Sequence, residues 1–356
     1  MVTVPGISRV NFTRSFRYHG SLESPSYKAS AVEQTLTISY DKNAAVVVLP
    51  AVGGGRLKHT SLRRWLARSD LLQLHEPREL LASILTKLGR PCPEAGLGAL
   101  RMWGQTGDRP TVWIAAADPV YLEPRLDHLC LHAQDAAAAP VSDMRPLIDH
   151  LQATLDDNDN YGFARLGSCG YLRASTPIET AAVPSYVVHR DMPNEYMPAG
   201  EGAGDYRSLV SEVEMALHDH EINLRRHEEG RQPINCLWFW GGGVAPEQET
   251  VPHPPLFSSD PLLMGHWLSK TGVVANWPGD IPSCVEASIA GFVAVIPEQD
   301  DPELLERCLS DLKGLLHSGR VSQLTLMFRD GIEASVLPTH RWRFWRRSSA
   351  LLDQVE

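Results

Sequence analysis

The sequence predicts an α/β protein in which a mostly parallel sheet carries helices on both faces, with a smaller α+β domain inserted into it. Two short apolar runs end in glycines, NAAVVVLPAVGGG (43–55) and INCLWFWGGG (234–243), and such runs are typical of buried strands followed by tight turns. Strand and helix patterns alternate after each run, which predicts parallel strands joined by helices. A β-rich stretch separates the two alternating parts, and we interpret it as the insert.

The first alternating part follows a polar, Ser-rich stretch, residues 1–42, which predicts an N-terminal extension. Its first strand is followed by two helical patterns, at 60–73 and 77–89. The second of these begins at Pro77 and ends at Gly89, and these residue types are favoured at the first position of a helix and just after its end.

The insert is predicted to span residues 111–204. It contains two strands, TVWIAAADPVYL (111–122) and DHLCLHA (127–133), then a helix at 144–155 and a hairpin at 161–175. Neighbouring strands joined by short connections, with one helix beside them, are typical of a small α+β domain.

The second alternating part begins with one long helix from Asp205 to about Glu229, whose apolar stripe at 3–4 spacing includes His220. Gly230 ends this helix, and the strand INCLWFW follows. The remaining elements are a helix near 261–272, a strand at 291–296, a helix at 302–317 and strands at 321–328 and 332–337. The predicted division is an extension at 1–42, a main domain at 43–110 and 205–347, the insert at 111–204 and a tail at 348–356.

The strand INCLWFW is predicted as a central parallel strand that is buried on both faces. Because side chains alternate along a strand, Leu237 and Phe239 are expected on one face and Trp238 and Trp240 on the other. Helices are therefore expected to cover both faces of this strand.

Composition narrows the function classes. The chain has 356 residues and a net charge of -10, which argues against a general nucleic-acid binder. Its six cysteines are scattered without a CxxC pair, which is typical of reduced thiols in a cytoplasmic protein. No apolar run approaches the ~20 residues of a membrane span. The N-terminal residues lack the apolar block of a secretory signal, so we expect no such signal. We therefore expect a cytoplasmic protein that does not bind membranes.

The segment ALHDHEINLRRHEEGRQPINCLWFWGGGVAP (216–246) carries the most specific pattern: a helix with His220, Asn223 and Arg226, then Asn235 at the start of a strand that ends in glycines. This pattern resembles archaeal-type cofactor-independent phosphoglycerate mutases of the alkaline phosphatase superfamily. The chain also resembles proteobacterial proteins of the RpfE type, which are often described as phosphoglycerate-mutase-like. The motifs that carry this resemblance follow one another here as ADPVYL (117–122), NCLWFWGGG and RFWRR (343–347). The resemblance implies an alkaline-phosphatase-like fold in which the insert forms part of a lid over the active cleft.

The resemblance also implies which residues line that cleft. The nine candidates are the positions that match the mutase pattern or stand at its glycine-rich turn: Asp118, Arg190, His220, Asn223, Arg226, Asn235, Trp240, Gly241 and Gly242.

Departures from the mutase pattern decide the functional prediction. The mutases hold two divalent metals with Asp and His side chains, because a transferred phosphoryl group needs its charge neutralised. Here LPAVGGG has no carboxylate where the mutases have Asp-Gly, and LTLMFRDG (324–331) stands where their late Asp-His motif is expected. No nucleophile motif is found between residues 55 and 75, and Trp240 replaces an Arg. We therefore expect no metal and no cofactor, and the catalytic residues stay unassigned.

Three further patterns each allow two interpretations. His128, Cys130 and His132 share one face of a predicted strand, which suits zinc, but a mixed polar face is favoured because no further ligand is near in sequence. The turns VGGG (52–55) and WGGGV (240–244) could cradle an anion on backbone N–H groups or simply be tight turns. RWRFWRR (341–347) is interpreted as a closing segment whose aromatic side chains cover a sheet edge, with partner docking as the alternative.

Two functional hypotheses follow. The first is a divergent, catalytically degenerate phosphoglycerate-mutase-like protein that keeps the cleft for a small anionic ligand or a protein partner, in a regulatory or binding role. The alternative is a phosphate-ester enzyme, of the mutase or phosphatase type, with a rearranged site.

Overall fold

The computed structural model describes residues 43–76, 78–155, 160–200, 202–288, 291–298 and 301–353. The predicted extension at 1–42 lies outside these residues. Within the described ranges, no helix is long and apolar enough to cross a membrane.

A seven-stranded sheet forms the main layer of the described structure. Its strands are β1 (Ala44–Leu49), β2 (Asp70–Gln73), β8 (Leu256–Phe257), β9 (Val274–Ala275), β10 (Val293–Val295), β11 (Gln323–Phe328) and β12 (Ile332–Val336). Their order is β2-β12-β11-β1-β10-β8-β9. The run from β11 to β9 is parallel, whereas β12 and β2 are antiparallel additions at one edge.

The second sheet is antiparallel and contains β3 (Ile114–Pro124), β4 (Leu129–Ala133), β5 (Tyr161–Leu166), β6 (Cys169–Ala174) and β7 (Cys236–Gly243). The long strand β3 has β7 along one side and both β6 and β4 along the other, and β5 pairs with β6. A large part of the β-rich insert therefore forms one sheet around β3.

Ten α-helices are described: α1 (Thr60–Ala67), α2 (Leu80–Lys87), α3 (Leu97–Thr106), α4 (Val141–Leu155), α5 (Ala203–His218), α6 (Glu221–Glu228), α7 (Pro261–Ser269), α8 (Ile281–Glu286), α9 (Pro302–His317) and α10 (Ala350–Asp353). Alternate side chains of β1 enter two different cores. Val47 and Leu49 pack with residues of α1, α8 and α9, whereas Val46 and Val48 belong to the core that contains α2, α3 and α7. Helices on both faces of a mostly parallel sheet confirm the predicted α/β class.

Several predicted elements are confirmed: β1, the hairpin β5–β6, and helices α4 and α9. The helix predicted at 60–73 is wrong in its second half, because α1 ends at Ala67 and β2 follows. Ser69 turns the chain there, since its hydroxyl donates to the Leu66 carbonyl oxygen at 2.6 Å. Helix α3 was not predicted. It lies between Gly96 and Gly107, which both have a left-handed backbone (φ 76° and 80°).

The single long helix predicted at 205–229 is two helices, α5 and α6. His220 stands at the break, where its Nδ1 accepts a hydrogen bond from the Ile222 N–H at 3.2 Å and caps α6. The apolar stripe does not continue through the break, because Leu224 is 54% exposed.

The prediction that INCLWFW is a central strand of the parallel sheet is wrong. Its strand, β7, pairs antiparallel with β3 in the second sheet. The predicted burial of both faces is confirmed, since Leu237, Trp238, Phe239 and Trp240 are all buried. Helices α3 and α5 both pack against β7. An apolar run reports burial on two faces but not the direction of the neighbouring strand.

The aromatic side chains of RWRFWRR do not cover the sheet edge as predicted. Trp342, Phe344 and Trp345 are each more than 60% exposed. The arginines take that role instead, because Arg343 and Arg346 both pair with Asp70 of the edge strand β2.

Candidate functional site

A cavity of about 700 Å³ opens at the carboxyl ends of the central parallel strands. Open α/β sheets bind ligands at this edge, where the connections after neighbouring strands meet. Met327 and Phe328 at the end of β11 line the cavity, as does Val48 near the end of β1. Its charged lining consists of Glu76, Asp260, Glu298, Asp330 and Glu333 on the acidic side, and His75, Arg78 and Arg329 on the basic side. We call this cavity the carboxyl-edge cleft.

The glycine-rich turn after β1 binds a carboxylate of the chain itself. Asp330, which follows β11, accepts hydrogen bonds through Oδ2 from the N–H groups of Val52 at 2.8 Å and Gly53 at 2.6 Å. Because β11 lies beside β1 in the parallel sheet, the two turns are neighbours. The turn is therefore an anion cradle in geometry, and Asp330 is its internal anion.

Replacing Asp330 with alanine is expected to free both N–H groups and to strengthen phosphate binding at least about tenfold, since one hydrogen bond to a charged group contributes about 1.5–3 kcal/mol. Isothermal titration with inorganic phosphate measures this gain. The matched control is Asp330→Asn, which removes the same charge but keeps an oxygen for the N–H groups. Equal gains in both variants would attribute the effect to charge alone and contradict the cradle.

Two acidic side chains near the cleft begin helices. Glu79 accepts hydrogen bonds from the Leu81 and Ala82 N–H groups, and Asp260 accepts from the Leu262 and Leu263 N–H groups. Burial raises the pKa of both carboxyl groups, although these N–H donors oppose the shift. The negative charge of Asp260 also raises the pKa of Glu79 by repulsion.

Of the nine predicted site residues, Asp118 and Trp240 are brought together across the β3–β7 pair. The Trp240 Nε1–H donates to Asp118 Oδ2 at 2.7 Å. Arg101 of α3 forms a salt bridge with Asp118 Oδ1, and its guanidinium lies 5.5 Å from the centre of the Trp240 ring. Ser185 completes the group, with its hydroxyl donating to Asp118 Oδ2 at 3.0 Å. The charge of Asp118 is thus balanced inside the protein.

Gly241 and Gly242 belong to a turn that is also satisfied internally. The Gly242 N–H donates to Thr180 Oγ1 at 2.8 Å, and the Gly241 N–H donates to the Ala181 carbonyl oxygen at 2.8 Å. A Cβ at Gly241 would lie 2.7 Å from the Leu97 Cβ, so close packing against α3 accounts for glycine here.

Asn223 and Asn235 bind backbone groups. The Asn223 amide donates to the Leu217 and Ile234 carbonyl oxygens and accepts from the Ile234 N–H, which ties α6 to the chain before β7. Asn235 exchanges two hydrogen bonds with the backbone of Leu122 on β3.

Arg226 is buried and binds Asp143 of α4, with Nη1 donating to Oδ2 at 2.7 Å. The same guanidinium also donates to the carbonyl oxygens of Ala138 and Gln232 and to the side chain of Gln134. Every nitrogen of this side chain thus has a partner within the protein.

His220 and Arg190 lie in other surroundings. The His220 ring is 4.9 Å from the His150 ring, and burial together with that neighbour lowers the pKa of His220. Arg190 has a left-handed backbone (φ 67°), and its N–H donates to the Leu131 carbonyl oxygen at 2.7 Å, beside β4. None of these nine residues lines the carboxyl-edge cleft, and their role in ligand binding stays a prediction.

Cys130 and His132, which share one face of β4, lie beside a third potential metal ligand on the neighbouring strand. Glu123 of β3 lies opposite Cys130 on β4, and the ligand atoms of Glu123, Cys130 and His132 lie within 4.8 Å of one another. His128 is not part of this group, and its Nδ1 lies 2.6 Å from Asp127 Oδ1. The cluster is also held without a metal, since Glu123 Oε2 lies 2.8 Å from His132 Nε2 and 2.6 Å from Arg125 Nη2.

The cleft residues were not predicted from the sequence, although a signal for them exists. Asp330 follows β11, Glu298 follows β10 and Asp260 follows β8, each within three residues of the strand end. A charged residue directly after a parallel strand is a candidate by position alone.

Comparison with known proteins gives partial matches. No protein-family profile matches the chain. Over 118 residues, 32% of this chain and 30% of the relative, it is 30% identical to the 2,3-bisphosphoglycerate-independent phosphoglycerate mutase of Methanosarcina barkeri. Over 137 residues, 36% of this chain and 32% of the relative, it is 28% identical to the probable enzyme of the same description from Geobacter sulfurreducens. The matches thus span about a third of the length of these curated relatives.

Among solved structures, the cofactor-independent phosphoglycerate mutase from Thermoplasma acidophilum aligns with 83% of this chain and 89% of its own, at 18% identity and a TM-score of 0.40. Homology is supported by the sequence matches. Over part of its length, the chain is distantly homologous to archaeal-type cofactor-independent phosphoglycerate mutases of the alkaline phosphatase superfamily.

Proposed function

We propose that this chain is a catalytically degenerate relative of the phosphoglycerate mutases, which uses the carboxyl-edge cleft as a binding surface in a regulatory role. One observation carries the proposal: the turn after β1, where the mutase pattern has a metal ligand, binds the Asp330 carboxylate instead. Asp330 belongs to the segment where the late metal motif of the mutases is expected. The resemblance to RpfE-type proteins is part of this proposal.

The residues present do not fit a two-metal site. Two divalent metals need several carboxylate or histidine ligands that converge on two points. Among the described residues, the group whose ligand atoms converge is Glu123, Cys130 and His132, and it lies in the antiparallel sheet. No catalytic step through a metal is therefore assigned to the cleft.

The charge of the cleft opposes a phosphoglycerate. Five acidic side chains line it against two arginines and one histidine, and one of the five, Glu333, is paired with Lys87. A phosphoglycerate carries both a carboxylate and a phosphate, and burial beside an excess of acidic side chains would cost it hydration energy that two arginines do not fully offset. Of the two predicted kinds of ligand, the cleft therefore favours a protein partner that presents a basic segment.

The purified protein is expected to hold no stoichiometric Mn or Zn, to show no mutase turnover with added Mn, and to bind neither 2- nor 3-phosphoglycerate at millimolar concentration. Elemental analysis, a coupled assay and calorimetry measure these three quantities. About two metals per chain after mild dialysis, or mutase turnover with added Mn, would overturn the proposal.

The rival hypothesis, a phosphate-ester enzyme with a rearranged site, has one observation in its favour. Asp330 Oδ1 is buried and has no hydrogen-bond partner among the described residues, so this carboxylate has an unused ligand atom beside other acidic groups. If the rival is correct, Mn added to the protein should bind and support turnover, and Asp330→Ala should abolish both. If degeneracy is correct, Asp330→Ala changes neither.

A further inference from the structure

A second cavity, of about 240 Å³, lies between α1, α9 and a 3-10 helix at Pro338–Trp342. Helix α9 ends just before β11 begins, and Val336 at the end of β12 is paired with Leu324 near the start of β11. The cavity therefore lies toward the amino ends of the parallel strands, at the edge opposite to the carboxyl-edge cleft. We call it the amino-edge pocket.

Three separate segments supply its lining. Helix α1 contributes one face, with Ser61, Arg64, Trp65 and the following Arg68 at spacings of three and four residues. Helix α9 contributes Lys313, Leu316 and His317 from its last turns in the same way. The 3-10 helix adds His340 and Arg341, so the motif RWRFWRR supplies part of the pocket.

The charge of this lining is one-sided. Four permanently cationic side chains and two histidines face the cavity, namely Arg64, Arg68, Lys313, Arg341, His317 and His340. No aspartate or glutamate of the described residues is among its lining residues. Such a concentration of positive charge is notable in a chain whose net charge is -10.

One acidic side chain, Asp70, contacts the pocket lining, but none of the four arginine and lysine side chains of the lining is paired with it. Asp70 does not line the pocket; its Oδ2 lies 3.5 Å from Nε2 of the lining residue His340, and its Oδ1 pairs with Arg343 and Arg346, which do not line the pocket either. Within the pocket, the Nε atom of Arg68 is buried and has no hydrogen-bond partner among the described residues, and its Nη1 donates to the Arg341 carbonyl oxygen. The unpaired Nε–H donor of Arg68 and the positive charges of the lining would both be stabilised by a bound anion that accepts hydrogen bonds.

We propose that the amino-edge pocket binds a compact diphosphate, either inorganic pyrophosphate or the diphosphate group of a small molecule. Guanidinium groups match phosphate oxygens with paired donors, and lysine adds a point charge. The volume is below the roughly 300–1,000 Å³ of pockets for drug-sized ligands, so the phosphate groups rather than a large organic body fill it. Trp65 and Leu316 provide apolar contact for a short carbon chain.

Titration calorimetry with inorganic pyrophosphate, in low salt and without divalent metal, tests the proposal. The full chain should bind one pyrophosphate per molecule, and the affinity should fall as salt rises to about 0.3 M because salt screens the attraction. Orthophosphate should bind more weakly than pyrophosphate, since it carries less charge. The variant Arg64→Gln/Lys313→Gln should bind pyrophosphate at least about tenfold more weakly, because two of the charged donors are gone.

The matched control is Arg207→Gln/Arg307→Gln, which removes the same charge from two exposed positions on α5 and α9 that do not line the pocket. It should keep the affinity of the parent protein. The single variant Arg64→Gln, at an exposed position, tests the pocket with little risk to folding. No saturable binding by the parent protein, or equal losses in the pocket and control variants, would overturn the proposal. Neither result depends on catalysis or on the carboxyl-edge cleft.

Discussion

Replacing Asp143 with alanine is expected to lower the free energy of unfolding by about 3–5 kcal/mol, because it leaves a buried charge without its partner. The Asp143 side chain is 2% exposed, and it receives Arg226 at 2.7 Å, Arg225 at 2.7 Å and Arg231 at 3.0 Å. Arg226 is itself 1% exposed, so it cannot turn to solvent when the carboxylate is removed. Urea titration of both proteins measures the loss.

The same pair predicts how stability depends on pH. Burial raises the pKa of Asp143, but the hydrogen bond from Arg226 and the charges of Arg231, Arg226 and Arg225 outweigh burial and lower it below the usual value. A carboxyl group with a lowered folded-state pKa contributes stability above its unfolded pKa of about 3.9, and that contribution is lost as the pH falls through the folded pKa. The alanine variant should therefore lose less stability than the parent protein on acidification below about pH 4.

An exposed ion pair on the same helix gives the control. Asp149 pairs with Arg145 at 3.9 Å, and both side chains are about 70% exposed. Asp149→Ala should cost at most about 0.5 kcal/mol, since exposed pairs one helical turn apart contribute little. If Asp143→Ala also cost less than about 1 kcal/mol, the Arg226 cluster would not be a buried charge in solution.

Phe239→Ala is expected to cost about 3–5 kcal/mol, as large-to-small changes in a core usually do. Phe239 is completely buried on β7, with the rings of Tyr206 and Phe163 each 6.4 Å from its own. The cavity left by the ring would lie between α5 and the second sheet, where rigid elements limit collapse. Guanidinium chloride or urea unfolding measures the change.

Phe344→Ala is the matched control for this substitution, because Phe344 is the same residue type at 68% exposure. It should change the free energy of unfolding by no more than about 0.5 kcal/mol. A cost below about 1 kcal/mol for Phe239→Ala would mean that β7 lies at an exposed edge in solution, contrary to its burial on both faces.

The sequence predicted the elements whose signals are local. A run of β-branched residues fixed β1, and α9 shows both a start signal, Asp301 before Pro302, and a long apolar stripe. It could not predict the partner of β7, since burial on two faces is compatible with a parallel or an antiparallel neighbour. The break between α5 and α6 was missed because the residue that causes it, His220, also fits the helical spacing.

The candidate site was predicted less well, for a different physical reason. Motif matching selected residues such as Asn223 and Arg226, whose polar groups bind other parts of the chain over long sequence distances. Whether a polar side chain faces a ligand or the protein interior depends on the tertiary partner, which spacing does not report. The amino-edge pocket illustrates this point, since its lining comes from residues 61–68, 313–317 and 337–341.

The pairing of β3 with β7 has a consequence for motion about the carboxyl-edge cleft. The resemblance to the mutases predicts that the insert forms part of a lid, and this stays a prediction. Here β3 of the predicted insert shares a ladder of hydrogen bonds with β7, and α5 packs on that strand. A swing of the insert as a rigid body would therefore carry β7 and α5 with it, because separating them would break the ladder. The hinge residues of such a movement would therefore lie at the ends of this larger body, and not at residues 111 and 204, the ends of the predicted insert.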